Sequence, residues 1–66
     1  MLLNVNGRAR EVPEGATVGE LLNTLGVPRE GTAVAVNRTV IPRRSHEIHS
    51  LNSADQVEII QAVGGG

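Results

Sequence analysis

The chain closes on Gly64-Gly65-Gly66, directly after the apolar run Val57-Glu58-Ile59-Ile60-Gln61-Ala62-Val63. Glycine has no Cβ, so a glycine backbone passes through gaps that any other residue would block. Three extended residues reach roughly 10 Å, at about 3.3–3.6 Å each. Such an arm makes the α-carboxylate of Gly66 the group best suited to enter a narrow slot on another protein. Chemistry at that carboxylate is the expectation. A loose chain end gives the same pattern, so the tail alone leaves both readings open.

Other side chains offer less. His46 and His49 are spaced as two ligands on one helical turn would be, but no Asp or Cys completes a metal set and their surroundings are polar. They are read as solvated, and no metal site is expected. Arg38, Arg43 and Arg44 have the chemistry of an anion site but read mainly as solvated loop charges. Glu11, Glu14 and Glu20 gather around the first hairpin and the helix start. Glu20 has a structural use there, which argues against acid–base work. The sequence contains no phosphate-binding glycine loop and no nucleophile–base pair.

Composition narrows the class further. A chain of 66 residues makes one small domain, which buries only about 60% of its unfolded surface. Aromatic residues are absent and 39% of residues are hydrophobic, so Val, Leu and Ile must build the core. There is no cysteine to form a disulfide, bind metal or act as a nucleophile. A net charge of −1 gives no electrostatic case for nucleic acid. No apolar run approaches the roughly 20 residues that cross a bilayer, and no secretory signal is evident. The expectation is a soluble cytoplasmic protein that meets neither nucleic acid nor membrane.

The elements that must present the tail follow from spacing. Leu3 and Val5 alternate with Asn4 and Asn6, the period of a half-buried strand. Asn6-Gly7 predicts a type I′ hairpin turn, with Arg8 to Val12 returning and Pro13-Glu14-Gly15 breaking the strand. Thr17-Val18-Gly19-Glu20 fits a capping box. Val18, Leu21, Leu22 and Leu25 share one helical face, and Gly26 with Pro28 ends the helix. Gly19 inside a helix costs roughly 1 kcal/mol against alanine, which suggests a close neighbour. Ala33 to Val36 predicts a strand with its valines inward and its alanines outward. Asn37-Arg38 turns it into Thr39-Val40-Ile41. Arg43 to Ser50 reads as irregular, Leu51 as a plug into the core, and Val57 to Ala62 or Val63 as the last strand. The predicted core comprises Leu21, Leu22, Leu25, Val34, Val36, Val57 and Ile59. One helix must cover one face of a mixed sheet, with the first and last strands paired in parallel at its centre. That is an α+β, ubiquitin-like β-grasp fold of four to five strands on one main helix. The β-grasp domain is expected over residues 1–63, with a glycine tail at 64–66.

The segments NGRAREVPEGATVGELL, AVAVNRTVIPR and DQVEIIQAVGGG, in that order and spacing, resemble the sulfur carriers of thiamine biosynthesis across essentially the whole chain. The most diagnostic parts are AVAVN followed by Pro42-Arg43 and the Gly65-Gly66 end. Two features depart from the family pattern. Ala54-Asp55 stands where Gly-Asp is common, so either a positive φ there strains Ala54 or the turn type differs. The segment before it lacks the usual aromatic residue.

The resemblance implies chemistry at Gly66. An E1-like adenylating enzyme, using ATP and Mg²⁺, converts the carboxylate to an acyl-adenylate. A persulfide derived by a cysteine desulfurase then supplies sulfur for a C-terminal thiocarboxylate, and a thiazole synthase receives it. The chain is then a cosubstrate, not an enzyme, and binds no cofactor itself. Gly64 and Gly65 would thread the partner's channel. Outward Ile60 and Ala35, flanked by Glu58 and Ala62, would form a docking patch, and Arg43 matches the family's Pro-Arg pair. The alternatives are a related carrier for molybdopterin synthesis, a ubiquitin-like modifier joined to lysines, and a passive β-grasp binding module.

Overall fold

The computed structural model describes residues 1–61. Strand β1 spans Leu2–Val5 and β2 spans Arg8–Glu11. Asn6 and Gly7 between them have φ of 50° and 83°, the paired positive values of a type I′ turn. Helix α1 spans Val18–Leu25. Thr17 Oγ1 accepts from Glu20 N at 3.2 Å, while Glu20 Oε1 accepts from Thr17 N at 2.8 Å. Gly26, at φ 71°, ends the helix in the left-handed conformation, as the sequence predicts.

Strands β3 (Thr32–Val36), β4 (Thr39–Ile41) and β5 (Gln56–Gln61) complete a sheet of order β2-β1-β5-β3-β4. The β1–β5 pair at its centre is parallel, with Val5 level with Val57, and the other three pairs are antiparallel. This is the β-grasp arrangement, with five strands. Period-two alternation sends Leu3, Val5, Val34, Val36, Ile41 and Val57 to the covered face. There they form one buried cluster with Val18, Leu21 and Leu22 of the helix and with Val12, Ala16 and Leu51.

Two predicted core residues sit at the margin. Leu25 and Ile59 are half-buried and flank the cluster. The helix has only eight residues, so it stops short of the sheet's end. A shallow groove of about 350 Å³ opens there, lined by Val5, Arg8, Arg10, Leu25, Val27 and Ile59 among others.

Residues 43–50 correct the sequence reading. Arg43–Ser45 forms a turn of 3-10 helix, and the residues after it finish the helix N-terminus. Val18 N donates to His49 O at 3.0 Å and Gly19 N to His46 O at 2.8 Å. Those N–H groups have no partner within the helix, so the segment is held by them. His46, read as solvated, is 1% exposed. Its Nε2 lies 3.1 Å from Ile41 O. A carbonyl only accepts, so Nε2 carries the proton. Nδ1 has no hydrogen-bond partner among the described residues. His49 is half-buried rather than fully solvated.

The close neighbour expected at Gly19 is an ion pair. Arg29 and Glu47 join across it, and a Cβ at this position would lie 3.0 Å from the Arg29 guanidinium and 3.2 Å from Glu47 Oε2. No helix among the described residues is long and apolar enough to cross a membrane.

Candidate functional site

The face of the sheet away from the helix is built by the alternate residues of β3, β4 and β5. Cross-strand partners share a face. Register pairs Ile60 with Ala33, Glu58 with Ala35, and Ala35 in turn with Val40. Ile60 is 65% exposed and Val40 68% exposed; Glu58 and Ala33 are also exposed, and Ala35 is half-buried. Small alanines on β3 therefore lie between two protruding branched side chains. The open face thus carries an apolar strip running from β4 across β3 to β5.

The outward placement of Ile60, Glu58 and Ala35 agrees with the sequence reading, but the register refines it. Ile60 stands opposite Ala33, not Ala35. Val40 was not singled out from sequence. Its signal was the alternation Thr39-Val40-Ile41: once Ile41 enters the core, Val40 must face out.

The same register locates the exit of the chain. Gln61 is level with Thr32 at the start of β3, and Ile41 at the end of β4 is level with Val34. The chain beyond Ile41 therefore turns at the end of the sheet where β5 leaves it. Pro42 and Arg43 lie in that turn, both exposed. Arg43 has no carboxylate within ion-pair distance among the described residues, and neither do Arg38 and Arg44. Ala62, Gly64, Gly65 and Gly66 lie outside the described residues.

The remaining candidates have structural positions. Glu20 closes the capping box. Glu11 and Glu14 face the Met1 ammonium, with Oε2 atoms at 3.3 and 3.6 Å. Among the described residues no three His, Cys, Asp or Glu side chains gather as a metal site would require. Asp55 is buried, and its carboxylate is used within the fold. It accepts from Asn37 Nδ2 at 3.0 Å and from Asn52 N at 2.8 Å. Ala54 beside it has φ 70°, so the position does demand the left-handed conformation, and a residue with a Cβ occupies it. Arg38 does the same in the β3–β4 turn, at φ 70° after Asn37 at 50°.

Comparison with known proteins covers both the domain and the tail. The model of the ThiS family matches residues 3–66. The chain is 33% identical to the sulfur carrier protein ThiS of Escherichia coli (strain K12) over 66 residues, the whole of both proteins. It is 36% identical to a thiazole synthase of Paramagnetospirillum magneticum over 66 residues, which are all of this chain and 20% of that protein. The crystal structure of a thiamine biosynthesis protein (ThiS) from Geobacter metallireducens superposes with a TM-score of 0.85, at 35% identity and with both chains fully covered. With a family match over residues 3–66 and a relative covered from end to end, the chain belongs to the ThiS family.

Proposed function

We propose that this chain is a sulfur carrier of thiamine biosynthesis, a protein cosubstrate whose Gly66 carboxylate is adenylated and then converted to a thiocarboxylate. The observation that carries the proposal is the family match extending to residue 66, together with identity over the full length of a sulfur carrier protein. The similarity to part of two thiazole synthases, from Paramagnetospirillum magneticum and Magnetococcus marinus, supports a thiazole synthase as the receiving partner.

The chemistry follows from the carboxylate. Its charge is delocalised and hydroxide leaves poorly, so it resists nucleophiles until activated. An E1-like enzyme holding ATP and Mg²⁺ transfers AMP to a Gly66 oxygen and releases pyrophosphate. The terminal sulfur of a desulfurase-derived persulfide attacks the carbonyl, and AMP leaves. A second thiol then takes the remaining sulfur of the S–S bond as a disulfide. Gly66 is left as C(=O)–S⁻, a softer nucleophile than the oxygen acid. This chain supplies the arm and the docking surface. Gly64 and Gly65 thread the partner's channel. The strip containing Ile60, Ala35 and Val40, flanked by Glu58 and Ala62, meets the partner, and Arg43 lies at the end of the sheet where β5 leaves it.

The test is made at the chain's end. Mass spectrometry of the protein from growing cells is expected to show one oxygen replaced by sulfur at Gly66. Deleting Gly66, or adding one residue after it, is expected to abolish that species and growth without added thiamine, with the thermal unfolding curve unchanged. Growth supported by the deleted form would reject the carrier reading in favour of a passive binding module.

A further inference from the structure

An activated carboxyl end is dangerous to the protein that bears it. An acyl-adenylate, or any comparable acyl donor at Gly66, reacts with a free amine. The amine nitrogen bonds to the carbonyl carbon, the C–O bond to AMP breaks, AMP leaves, and the amine loses a proton. The product is an amide, which cannot be loaded with sulfur. Lysine ε-amines are the usual acceptors, and cysteine thiolates are the competing soft ones.

This chain offers neither. All six of its basic residues are arginine, and it contains no lysine and no cysteine. A guanidinium stays protonated and is a very poor nucleophile. The amine that remains is the α-amino group of Met1, and the fold occupies it. Its nitrogen donates to Val12 O at 2.7 Å and to Glu11 Oε2 at 3.3 Å, with Glu14 Oε2 at 3.6 Å. These contacts come from sheet geometry: Val12 N donates back to Met1 O at 2.9 Å, which extends the β1–β2 pairing to the first residue. Attack by that nitrogen requires a free lone pair turned toward the acyl carbon, and so departure from these three oxygen partners. The imidazoles do not change the balance. His46 is buried, and an acylated imidazole hydrolyses rather than forming a lasting bond.

We infer that the surface of this carrier is insulated against its own activated end: it lacks amine and thiol acceptors, and its α-amino group is held by Val12, Glu11 and Glu14, so the loaded form cannot acylate itself or a second copy. The inference rests on the proposed carrier chemistry for its purpose, but its test does not need the adenylating enzyme.

The chain is prepared with a thioester at Gly66 by intein cleavage with a small thiol, then incubated alone at high concentration and mildly alkaline pH. The wild type is expected to disappear only by hydrolysis and to remain monomeric by intact mass. Arg44→Lys and Arg8→Lys, exposed changes that keep the charge, are expected to yield amide-linked dimers at ten or more times the wild-type level. The double variant Glu11→Gln/Glu14→Gln is expected to yield dimers linked at Met1. Wild-type dimers linked at Met1 at the level of that double variant would overturn the sequestering of the amine. Lysine variants that stay monomeric would overturn the insulation. ATP–pyrophosphate exchange dependent on the chain, measured with an E1-like enzyme of the thiamine pathway, separately tests the carrier chemistry itself. A negative exchange with dimerising lysine variants rejects the carrier reading alone.

Discussion

The covered and open faces of the sheet are drawn from alternate residues of the same strands, and they are built on opposite principles. On the covered face Val34, Val36, Ile41 and Val57 are packed with Leu21 and Leu22 into a closed cluster. On the open face Val40 and Ile60 are 68% and 65% exposed among the described residues, with alanines between. Burial of a branched side chain contributes roughly 1.5–3 kcal/mol. The covered face therefore holds the domain together, while equivalent groups on the open face add little to folding and are available to a partner. Period-two alternation lets β5 serve both ends, since adjacent residues Ile59 and Ile60 point in opposite directions.

The contrast is open to direct attack. Leu22→Ala, at a fully buried position, is expected to destabilise by about 2–5 kcal/mol, measured by urea denaturation. An unchanged midpoint would mean that the helix does not close this face. His46→Ala is expected to cost about 2–4 kcal/mol, because it opens a cavity and leaves Ile41 O without its donor. That result would extend the covered side to the segment under the helix N-terminus; a cost below about 0.5 kcal/mol would return His46 to the surface class. Ile60→Asp is expected to change stability by less than about 0.5 kcal/mol while weakening binding to the adenylating enzyme about tenfold, or 1.4 kcal/mol. Calorimetry showing unaltered affinity would remove Ile60 from the interface and leave the open face without its proposed use. Ala54→Gly lies on neither face. It is expected to stabilise by about 1 kcal/mol by relieving the left-handed strain at φ 70°, read as a rise in Tm.

Local signals carried most of the fold. Thr17 with Glu20, the stripe Val18-Leu21-Leu22 and Gly26 fix the helix by contacts within a few residues, and each agrees with the structure. Asn6-Gly7 fixes the first hairpin in the same way. The parallel β1–β5 pair is legible because the first hairpin and the last strand stand at opposite ends of the chain and can meet as neighbours in a mixed sheet under one helix. What local reasoning missed depends on distant partners. His46 is buried because its segment supplies carbonyls to a helix some 25 residues earlier in the chain, as the Gly19–His46 bond shows. Leu25 and Ile59 fall at the margin because an eight-residue helix is shorter than the sheet it covers, which periodicity does not reveal. The role of Gly19 became clear only with the Arg29–Glu47 pair lying across it. At the candidate site, outwardness was legible from alternation, whereas the pairing of Ile60 with Ala33 needed the register. Gly66 was marked by residue type and by its place in the family pattern.

The strand that leads to the terminal glycines is also the one enclosed by its neighbours. β5 bonds in parallel to β1 and in antiparallel to β3, and the Asn6 side chain clips onto Ile59 through both its amide oxygen, at 2.8 Å, and its amide nitrogen, at 3.3 Å. Any partner that draws on the chain beyond Gln61 pulls lengthwise on a strand clamped along both edges. Its hydrogen bonds are then loaded together in shear rather than broken one after another. Under such a pull the domain would act as a mechanical stop, so that tension on the terminus would not unravel the body behind it.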